Sequence, residues 1–176
     1  MKVLVVVDMQ NDFIDGALGT AEAQEILPRT VEKVRQFHGK VVFTRDTHEE
    51  NYLETQEGRK LPVKHCIRDT EGWRIHERLR PYCTEPPVDK VTFGSVELGQ
   101  RMLQWNREEK IDSIELVGLC TDICVISNAI ILKACLPETE ISVDSACCAG
   151  VTPESHERAL KAMESCQITV TTPAGN

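Results

Sequence analysis

The chain of 176 residues is long enough for one domain with a hydrophobic core, and 41% hydrophobic and 27% charged residues are typical of a globular protein. Twenty basic and 28 acidic residues give a net charge of −8 without a basic stripe, so we expect neither nucleic acids nor membranes as partners. No apolar run approaches the roughly eighteen residues of a membrane span.

Eight cysteines would suit a disulfide framework in a small secreted protein. Their distribution argues against one, because none precedes Cys66 and because Cys147 and Cys148 are adjacent. The apolar run before Asp8 is also too short for a secretion signal. We therefore expect a cytoplasmic protein whose thiols are reduced and mostly buried.

Strands and helices alternate from the first residues onward. The β-branched run 3–7 predicts a strand buried on both faces, an amphipathic helix follows at about 21–37, with Pro28 able to delay its start, and 41–44 predicts the next strand. The polar stretch from 46 to about 87 shows little periodicity, which predicts a functional loop region with short helices.

The second half continues the alternation. A short strand at 88–91 precedes a helix capped by Ser95. A strand at 111–117 precedes a helix at 122–135 that is apolar nearly all round. A strand at 140–143 precedes a helix at 153–163. A strand at 168–170 closes the series. The pattern predicts one α/β domain over residues 1–176, with three α/β/α layers and a mostly parallel, Rossmann-like sheet.

Reactive side chains follow several strands, where parallel sheets place their functional groups. Asp8 comes directly after the first strand. It is either a cap whose carboxylate accepts hydrogen bonds from nearby backbone amides or a functional carboxylate. Cys120 and Cys124 follow the strand 111–117, where a helix N-terminus can lower a thiol pKa and cradle an oxyanion, although two buried structural thiols would give the same pattern. Lys90 is either a surface charge or a buried cation that holds a carboxylate ionised.

Metal-ligating side chains occur in the loop region. Asp46 and His48 are two residues apart on an extended segment, and Glu57 and His65 follow. Carboxylates and imidazoles suit zinc, iron or manganese, although a solvated polar loop has a similar composition.

Together these motifs resemble one family. Asp8 in DMQNDF, Lys90 in DKVTFGS and Cys124 in GLCTDICV resemble, in order, the triad motifs of the nicotinamidase/isochorismatase-like cysteine hydrolases. The stretch FTRDTHEENYLETQEGRKLPVKHC resembles the metal-binding segment of the nicotinamidase branch. The resemblance extends from Lys2 to about Pro153.

The resemblance implies a catalytic triad and a metal site. Cys124 is expected as nucleophile, Asp8 as the group that takes its proton and Lys90 as electrostatic support. The amides of Cys120 and Cys124 are expected to bind the oxyanion, next to a cis peptide at Leu119–Cys120. The expected ligands of a divalent metal, zinc in preference to iron or manganese, are Asp46, His48, Glu57 and His65, with Glu54 as the alternative to Glu57.

The resemblance also implies a substrate and its pocket. It predicts hydrolysis of nicotinamide to nicotinate and ammonia through a cysteine thioester, with Phe13 as a wall of the pocket, although a core role for that ring is also open. Trp73 is a second aromatic candidate, and Asp69 stands where the family often has a glycine, which is expected to reshape the pocket rim.

Other functions remain open at this point. The alternatives are a related cysteine hydrolase of another small amide or ureido compound and a non-catalytic protein that binds or senses redox state through its thiols. Isochorismatase activity is disfavoured, because that reaction needs an acid rather than the thiol of Cys124. A small-molecule amide is the expected partner, together with other copies of the chain in a homo-oligomer.

Overall fold

A six-stranded sheet forms the centre of the computed structural model, which describes residues 1–172. Its strands are β1 (Lys2–Val7), β2 (Lys40–Asp46), β3 (Val88–Lys90), β4 (Ser113–Leu119), β5 (Glu140–Ala149) and β6 (Thr169–Thr171). Their order is β3-β2-β1-β4-β5-β6, and each neighbouring pair is parallel. The predicted α/β fold is therefore confirmed.

Helices and short turns connect the strands. The helices are α1 (Asn11–Ile14), α2 (Ala21–Gln36), α3 (Gln56–Lys60), α4 (Val96–Glu108), α5 (Ile126–Cys135) and α6 (Pro153–Ser165). Two 3₁₀ turns (Tyr52–Glu54 and Arg80–Tyr82) lie in the loop region, and a π-helical turn (Thr121–Val125) precedes α5. Within residues 1–172, none of the helices has the length and apolar character needed to cross a membrane.

Strand β1 shows why the sheet is buried on both faces. Val3, Val5 and Val7 belong to a core cluster with α4, α5 and α6, whereas Leu4 and Val6 belong to a second cluster with α1 and α2. Successive side chains of a strand point to opposite faces, so a continuous apolar run supplies both cores. The layers are therefore helix, sheet and helix, as predicted.

The adjacent cysteines of β5 also contribute to the cores on opposite faces of the sheet. Cys147 packs in the cluster with α2, and Cys148 packs in the cluster on the other face of the sheet. All eight cysteines are free thiols, which agrees with the expectation from their distribution.

Helix α2 has its predicted extent, whereas strand β5 is longer than predicted. Pro28 does not delay α2, because Thr20 caps the helix through Ala23 N at 3.0 Å and the exposed proline lies within it. Strand β5 is longer than predicted, because Val143 pairs with Leu116 and Cys148 pairs with Gly118, so residues 144–147 form a bulge. The polar residues of this bulge concealed the continuation of the strand.

The helix predicted at 122–135 is also different in detail. It is divided into the π-helical turn and α5, and Ile130 of α5 is 38% exposed. An apolar sequence all round the helix therefore did not mean burial all round.

An ion-pair cluster joins α2 to the bulge of β5. Lys33 Nζ lies 2.7 Å from Glu115 Oε1 and 2.9 Å from Asp144 Oδ2, and all three side chains are less than one-third exposed. Burial opposes the charge of Lys33, but the two carboxylates outweigh it and raise the lysine pKa. The cluster is therefore charged at neutral pH and bridges β4, β5 and α2.

We expect Lys33→Met to lower the free energy of unfolding by about 1–3 kcal/mol at pH 7, because two partly buried carboxylates lose their cation. Since the lysine pKa is raised, the contribution of the lysine charge is present below the ordinary lysine pKa and is lost as the pH rises through the raised value. Urea unfolding would measure it. Arg35→Met, which removes an exposed pair with Glu32, is the control and should change little; equal effects of the two substitutions would contradict the prediction.

Candidate active site

Asp8 lies at the carboxyl end of β1 in a conformation that turns its carboxylate into the protein. Its φ of 48° is in the left-handed region, which aspartate tolerates better than most residues, and the side chain is fully buried. Thr44 Oγ1 donates to Asp8 Oδ1 at 2.6 Å and accepts from Asp8 N at 3.2 Å. The neighbouring strand β2 therefore fixes one carboxylate oxygen and leaves the other facing the site.

Lys90 ends β3 and brings a cation to that second oxygen. Its Nζ lies 2.6 Å from Asp8 Oδ2, 3.3 Å from Asp46 Oδ1 and 3.4 Å from Cys124 Sγ. The side chain is 1% exposed. The sequence left a surface charge and a buried cation open for Lys90, and the structure shows the buried cation.

The segment that carries Cys124 begins with two unusual backbone features. Gly118 has a φ of 118°, and a Cβ there would lie 2.1 Å from Val7 O, so only glycine fits between β4 and β1. The Leu119–Cys120 peptide is cis, as expected. The carbonyl of Cys120 then accepts from Ile123 N at 3.1 Å and from Val125 N at 3.0 Å, the amides on either side of Cys124.

The protonation of this cluster differs from one expectation. Burial raises the pKa of Cys124 well above its usual value, the Asp8 charge raises it further, and Lys90 opposes both. Burial also raises the pKa of Asp8 against the opposing charge of Lys90. The sequence suggested a lowered thiol pKa at a helix N-terminus, but desolvation is the larger effect here and raises the pKa of Cys124.

The four predicted metal ligands lie together beside the triad. Asp46, His48, Glu57 and His65 each offer a ligand atom, and these atoms all lie within 4.8 Å of one another. Asp46 Oδ2 is 2.9 Å from His48 Nε2 and 3.5 Å from His65 Nε2. Burial acts to raise the pKa of Asp46, but the hydrogen bonds of the two histidines and the charge of Lys90 hold it well below the usual range.

Glu57 rather than Glu54 belongs to this group. Its Oε1 lies 3.5 Å from His48 Nε2, whereas Glu54 is exposed. Helix α3 is placed by a cap from Thr55 to Gly58 N at 3.0 Å, and a Cβ on Gly58 would lie 2.0 Å from Tyr52 O. The glycine therefore lets α3 approach the chain closely enough to direct Glu57 inward.

The donor set of this cluster fits a divalent cation. Two imidazoles and two carboxylates are ligands that zinc, iron and manganese accept. His65 Nδ1 is 2.8 Å from Val63 O, so the hydrogen bond to this carbonyl orients the ring and directs Nε2 at the cluster. The predicted residues therefore have the composition and the orientation of a metal site.

A cavity of about 240 Å³ opens between the two clusters. Its polar wall is formed by Asp46, Glu57, His65 and Cys124, and the remaining wall is mainly apolar. Phe13 lines the cavity, with its ring 5.6 Å from that of His65. The cavity can therefore hold one small ring with a polar group at each end.

Two aromatic residues differ from the expectations for the cavity. Trp73 does not line it, because its indole donates to Thr47 Oγ1 at 2.9 Å and its ring packs against the Arg45 guanidinium at 3.6 Å. Phe93, which the sequence analysis did not select, lines the cavity instead. Its position after Lys90 in DKVTFGS was the available signal.

Asp69 adopts the left-handed φ of 66° that a glycine would favour, but it is not a lining residue of the cavity.

A further anchor of the Cys124 segment also escaped the sequence analysis. Thr121 is fully buried, and its hydroxyl lies 2.7 Å from Nδ1 of His156 on α6. Asp122 Oδ1 accepts from Val151 N at 3.1 Å. These contacts fix the π-helical turn to the start of α6, which sequence spacing does not reveal.

The family follows from comparisons with known proteins. The isochorismatase domain model matches residues 2–174, so the chain belongs to the isochorismatase family. It is 28% identical to the nicotinamidase/pyrazinamidase of Mycobacterium tuberculosis over 96% of this chain and 97% of that protein. The crystal structure of a nicotinamidase from Bacillus subtilis is similar, with a TM-score of 0.80, 29% identity and coverage of 97% of this chain and 98% of that one.

A third relative is a structure that holds a metal. The pyrazinamidase of Pyrococcus horikoshii in complex with zinc has a TM-score of 0.75 and 30% identity, and the match covers 97% of this chain and 98% of that one. Within the family, these relatives place the chain in the nicotinamidase branch. It is an amidohydrolase that acts on a C–N amide bond.

Proposed function

We propose that this protein hydrolyses nicotinamide to nicotinate and ammonia, with Cys124 as nucleophile and a divalent metal ion held by Asp46, His48, Glu57 and His65. Nicotinamidases of three bacteria and of yeast among the relatives support the substrate. Zinc is the preferred ion because of its affinity for mixed imidazole and carboxylate sites, with iron and manganese as alternatives.

One observation carries the proposal. The cavity is bounded by Cys124 and by three of the four candidate ligands, and Asp46 lies 3.3 Å from Lys90, which contacts Cys124. A small ring therefore has a nucleophile for its amide and a metal-ligand cluster for its ring nitrogen within one cavity. Nicotinamide carries these two groups on one ring, with the carboxamide meta to the ring nitrogen.

Acylation uses the triad. As Cys124 Sγ bonds to the amide carbon, its proton passes to Asp8, whose raised pKa suits a group that must accept and then release a proton. The carbonyl electron pair moves to oxygen, and the amides of Cys120 and Cys124 stabilise this oxyanion. When the oxyanion collapses, the C–N bond breaks, Asp8 returns the proton to nitrogen, and ammonia leaves a thioester.

Hydrolysis of the thioester restores the site. A water molecule attacks the thioester carbon, and Asp8 accepts a proton from that water. The C–S bond then breaks, Asp8 returns this proton to Cys124 Sγ, and the acid product loses its remaining proton to solvent and leaves as nicotinate. Lys90 keeps a positive charge throughout, because Asp8, Cys124 and Asp46 raise its pKa despite burial. It therefore stabilises the negative charge that moves between Cys124 and Asp8.

A metal ion bound by the four ligands would supply a Lewis acid for the ring nitrogen of the substrate. The protein side chains then orient the ring: Phe13 and Phe93 contribute aromatic walls, and the apolar lining excludes water from the amide. These contacts set the distance from the ring to Cys124.

We expect the purified protein to release ammonia from nicotinamide, and we expect a strong chelator to suppress this release until Zn²⁺, Fe²⁺ or Mn²⁺ is restored. Benzamide is the matched control, because it has the same shape and amide but lacks the ring nitrogen. Its kcat/KM should be lower by about 10- to 1000-fold, the range expected when one electrostatic contact is lost.

Two outcomes would contradict the proposal. Absence of ammonia release with each metal restored would overturn the substrate, and full activity in the presence of the chelator would overturn the metal requirement. Ammonia is measured with a coupled dehydrogenase assay, which keeps the readout independent of the substrate's ring.

We place the protein in the cytoplasm, where eight reduced thiols persist, and as a homo-oligomer in solution. The partial exposure of Ile130 on α5 supports an interface on that helix. Light scattering during size-exclusion chromatography tests the oligomer.

A further inference from the structure

We propose that Gln10 and Asp12, which follow Asp8 on the α1 segment, are positioning residues that hold the two halves of the metal site in register with the triad. The inference rests on the metal site of the proposed function. We call these two side chains and their backbone partners the α1 clamp.

Gln10 holds the backbone of Asp46. Its side-chain Oε1 accepts from Asp46 N at 2.7 Å, and its Nε2 donates to Asp46 O at 2.9 Å. The same Nε2 donates to Trp73 O at 2.8 Å. Gln10 is fully buried, so the amide satisfies buried backbone groups on both sides, as a neighbouring strand would.

Asp12 holds the segment that carries His65. Its Oδ2 accepts from Cys66 N at 2.7 Å, directly after the ligand, and its Oδ1 accepts from Ala17 N at 3.2 Å. Cys66 has a φ of 47°, so the chain turns sharply at this bond. A Cβ on Gly72 would clash with the Asp12 carboxylate, so Gly72 lies directly against it.

The clamp is continuous with the catalytic strand. Gln10 N donates to Asp8 O at 2.7 Å, and Asp12 N donates to Gly72 O at 3.0 Å. The ligand Asp46 ends β2, whereas His65 belongs to the loop region between β2 and β3. The two segments contact each other where His48 N donates to Cys66 O at 3.0 Å and Arg68 N donates to His48 O at 2.8 Å. The α1 clamp contacts both segments beside this bridge and fixes the position of each ligand relative to β1.

The geometry assigns a specific consequence to the clamp. Partners that orient the residues binding a metal usually change its affinity by about 10- to 100-fold when they are lost. A role confined to folding would instead lower thermal stability and leave the affinity of the folded protein unchanged. Metal affinity therefore separates a positioning role from a structural one.

The test uses the full chain with Gln10→Glu and, separately, Asp12→Asn. Gln10→Glu keeps the shape but removes the donors to two buried carbonyls. Asp12→Asn keeps the shape but replaces one acceptor oxygen with an NH2 group, which then faces one of the two backbone N–H groups that the carboxylate binds. Gln24→Glu, on an exposed position of α2, is the control for the same change of charge.

The readout is the dissociation constant for Zn²⁺, measured by competition with a chromophoric chelator on samples whose circular dichroism shows a folded chain. We expect each clamp variant to bind Zn²⁺ about 10- to 100-fold more weakly than the wild type and the Gln24→Glu control. Asp12→Asn keeps the test decisive if the buried charge of Gln10→Glu prevents folding.

The rate of alkylation of Cys124 by iodoacetamide in the metal-free chains provides a second measurement. It should stay within about threefold of the wild-type rate in Asp12→Asn, because the contacts of Lys90 with Asp8 and Cys124 do not involve Asp12. Unchanged Zn²⁺ affinity in the folded variants would overturn the clamp alone. Absence of Zn²⁺ binding by the wild type would overturn the metal site and the clamp with it. Absence of ammonia release by a wild type that binds Zn²⁺ would overturn the proposed substrate and leave the clamp standing.

Discussion

Replacement of Cys124 by alanine is expected to lower kcat/KM for nicotinamide by about 10,000-fold or more. The reason is that the substitution removes the proposed nucleophile, the cavity-lining thiol that contacts Lys90. The fold should persist. Cys124 is 5% exposed and the substitution removes one buried sulfur, so the free energy of unfolding should fall by only about 1 kcal/mol. Ammonia release and urea unfolding measure the two effects.

A cysteine elsewhere in the chain provides the control for that substitution. Cys166 is exposed at the end of α6, and Cys166→Ala should leave ammonia release unchanged. Mass spectrometry of the wild type quenched during turnover should show the mass of a nicotinoyl group, and Cys124→Ala should not acquire it. Retained turnover in Cys124→Ala would contradict the thioester route.

Lys90→Met is expected to impair both catalysis and stability. The ammonium lies 2.6 Å from Asp8 Oδ2 and 3.4 Å from Cys124 Sγ, so its loss leaves the developing thiolate without a cation. We expect kcat/KM to fall by about 100- to 1000-fold, as for other single electrostatic contacts to a transition state. Removal of one partner from a buried charge pair should lower the free energy of unfolding by about 3–5 kcal/mol at pH 7.

The stability deficit of Lys90→Met should depend on pH. Burial already raises the pKa of Asp8, and loss of the cation raises it further. A carboxyl group whose folded pKa is raised is most favourable to folding below its unfolded pKa, and that advantage is lost as pH rises through the folded value. The deficit relative to wild type should therefore be small near pH 4 and largest at neutral pH.

Urea unfolding across this pH range measures the deficit. Lys161→Met, at an exposed position of α6, is the control and should change neither activity nor stability appreciably. A deficit for Lys90→Met that grows as the pH falls would show that Asp8 is not the uncompensated charge. Wild-type kcat/KM in the variant would show that the cation has no electrostatic role in the reaction.

Local patterns in the sequence were sufficient for much of the fold. The unbroken apolar run of β1 predicted burial on both faces, and the alternation of strands and helices predicted a parallel sheet. Functional groups were expected at the carboxyl ends of the parallel strands, and the structure places Asp8, Lys90 and Cys124 there, with Lys90 in contact with the other two.

Other features depended on contacts that local patterns do not encode. Spacing left Glu57 and Glu54 as alternatives, and the packing of Gly58 on Tyr52 directs Glu57 inward. Trp73 appeared suited to the cavity, but a hydrogen bond to Thr47 holds its ring elsewhere. In irregular segments no repeating geometry sets the direction of a side chain, so distant partners decide it.

The electrostatic properties of the site also depend partly on the local sequence and partly on the tertiary structure. The sequence by itself determined which groups could ionise and that they would lie at the ends of strands, because residue type and the alternation of strands and helices are properties of the local sequence. Only the tertiary structure decided that burial would raise the pKa of Cys124 and that Gln10 would hold Asp46, because desolvation and long-range hydrogen bonds depend on what surrounds each group in space.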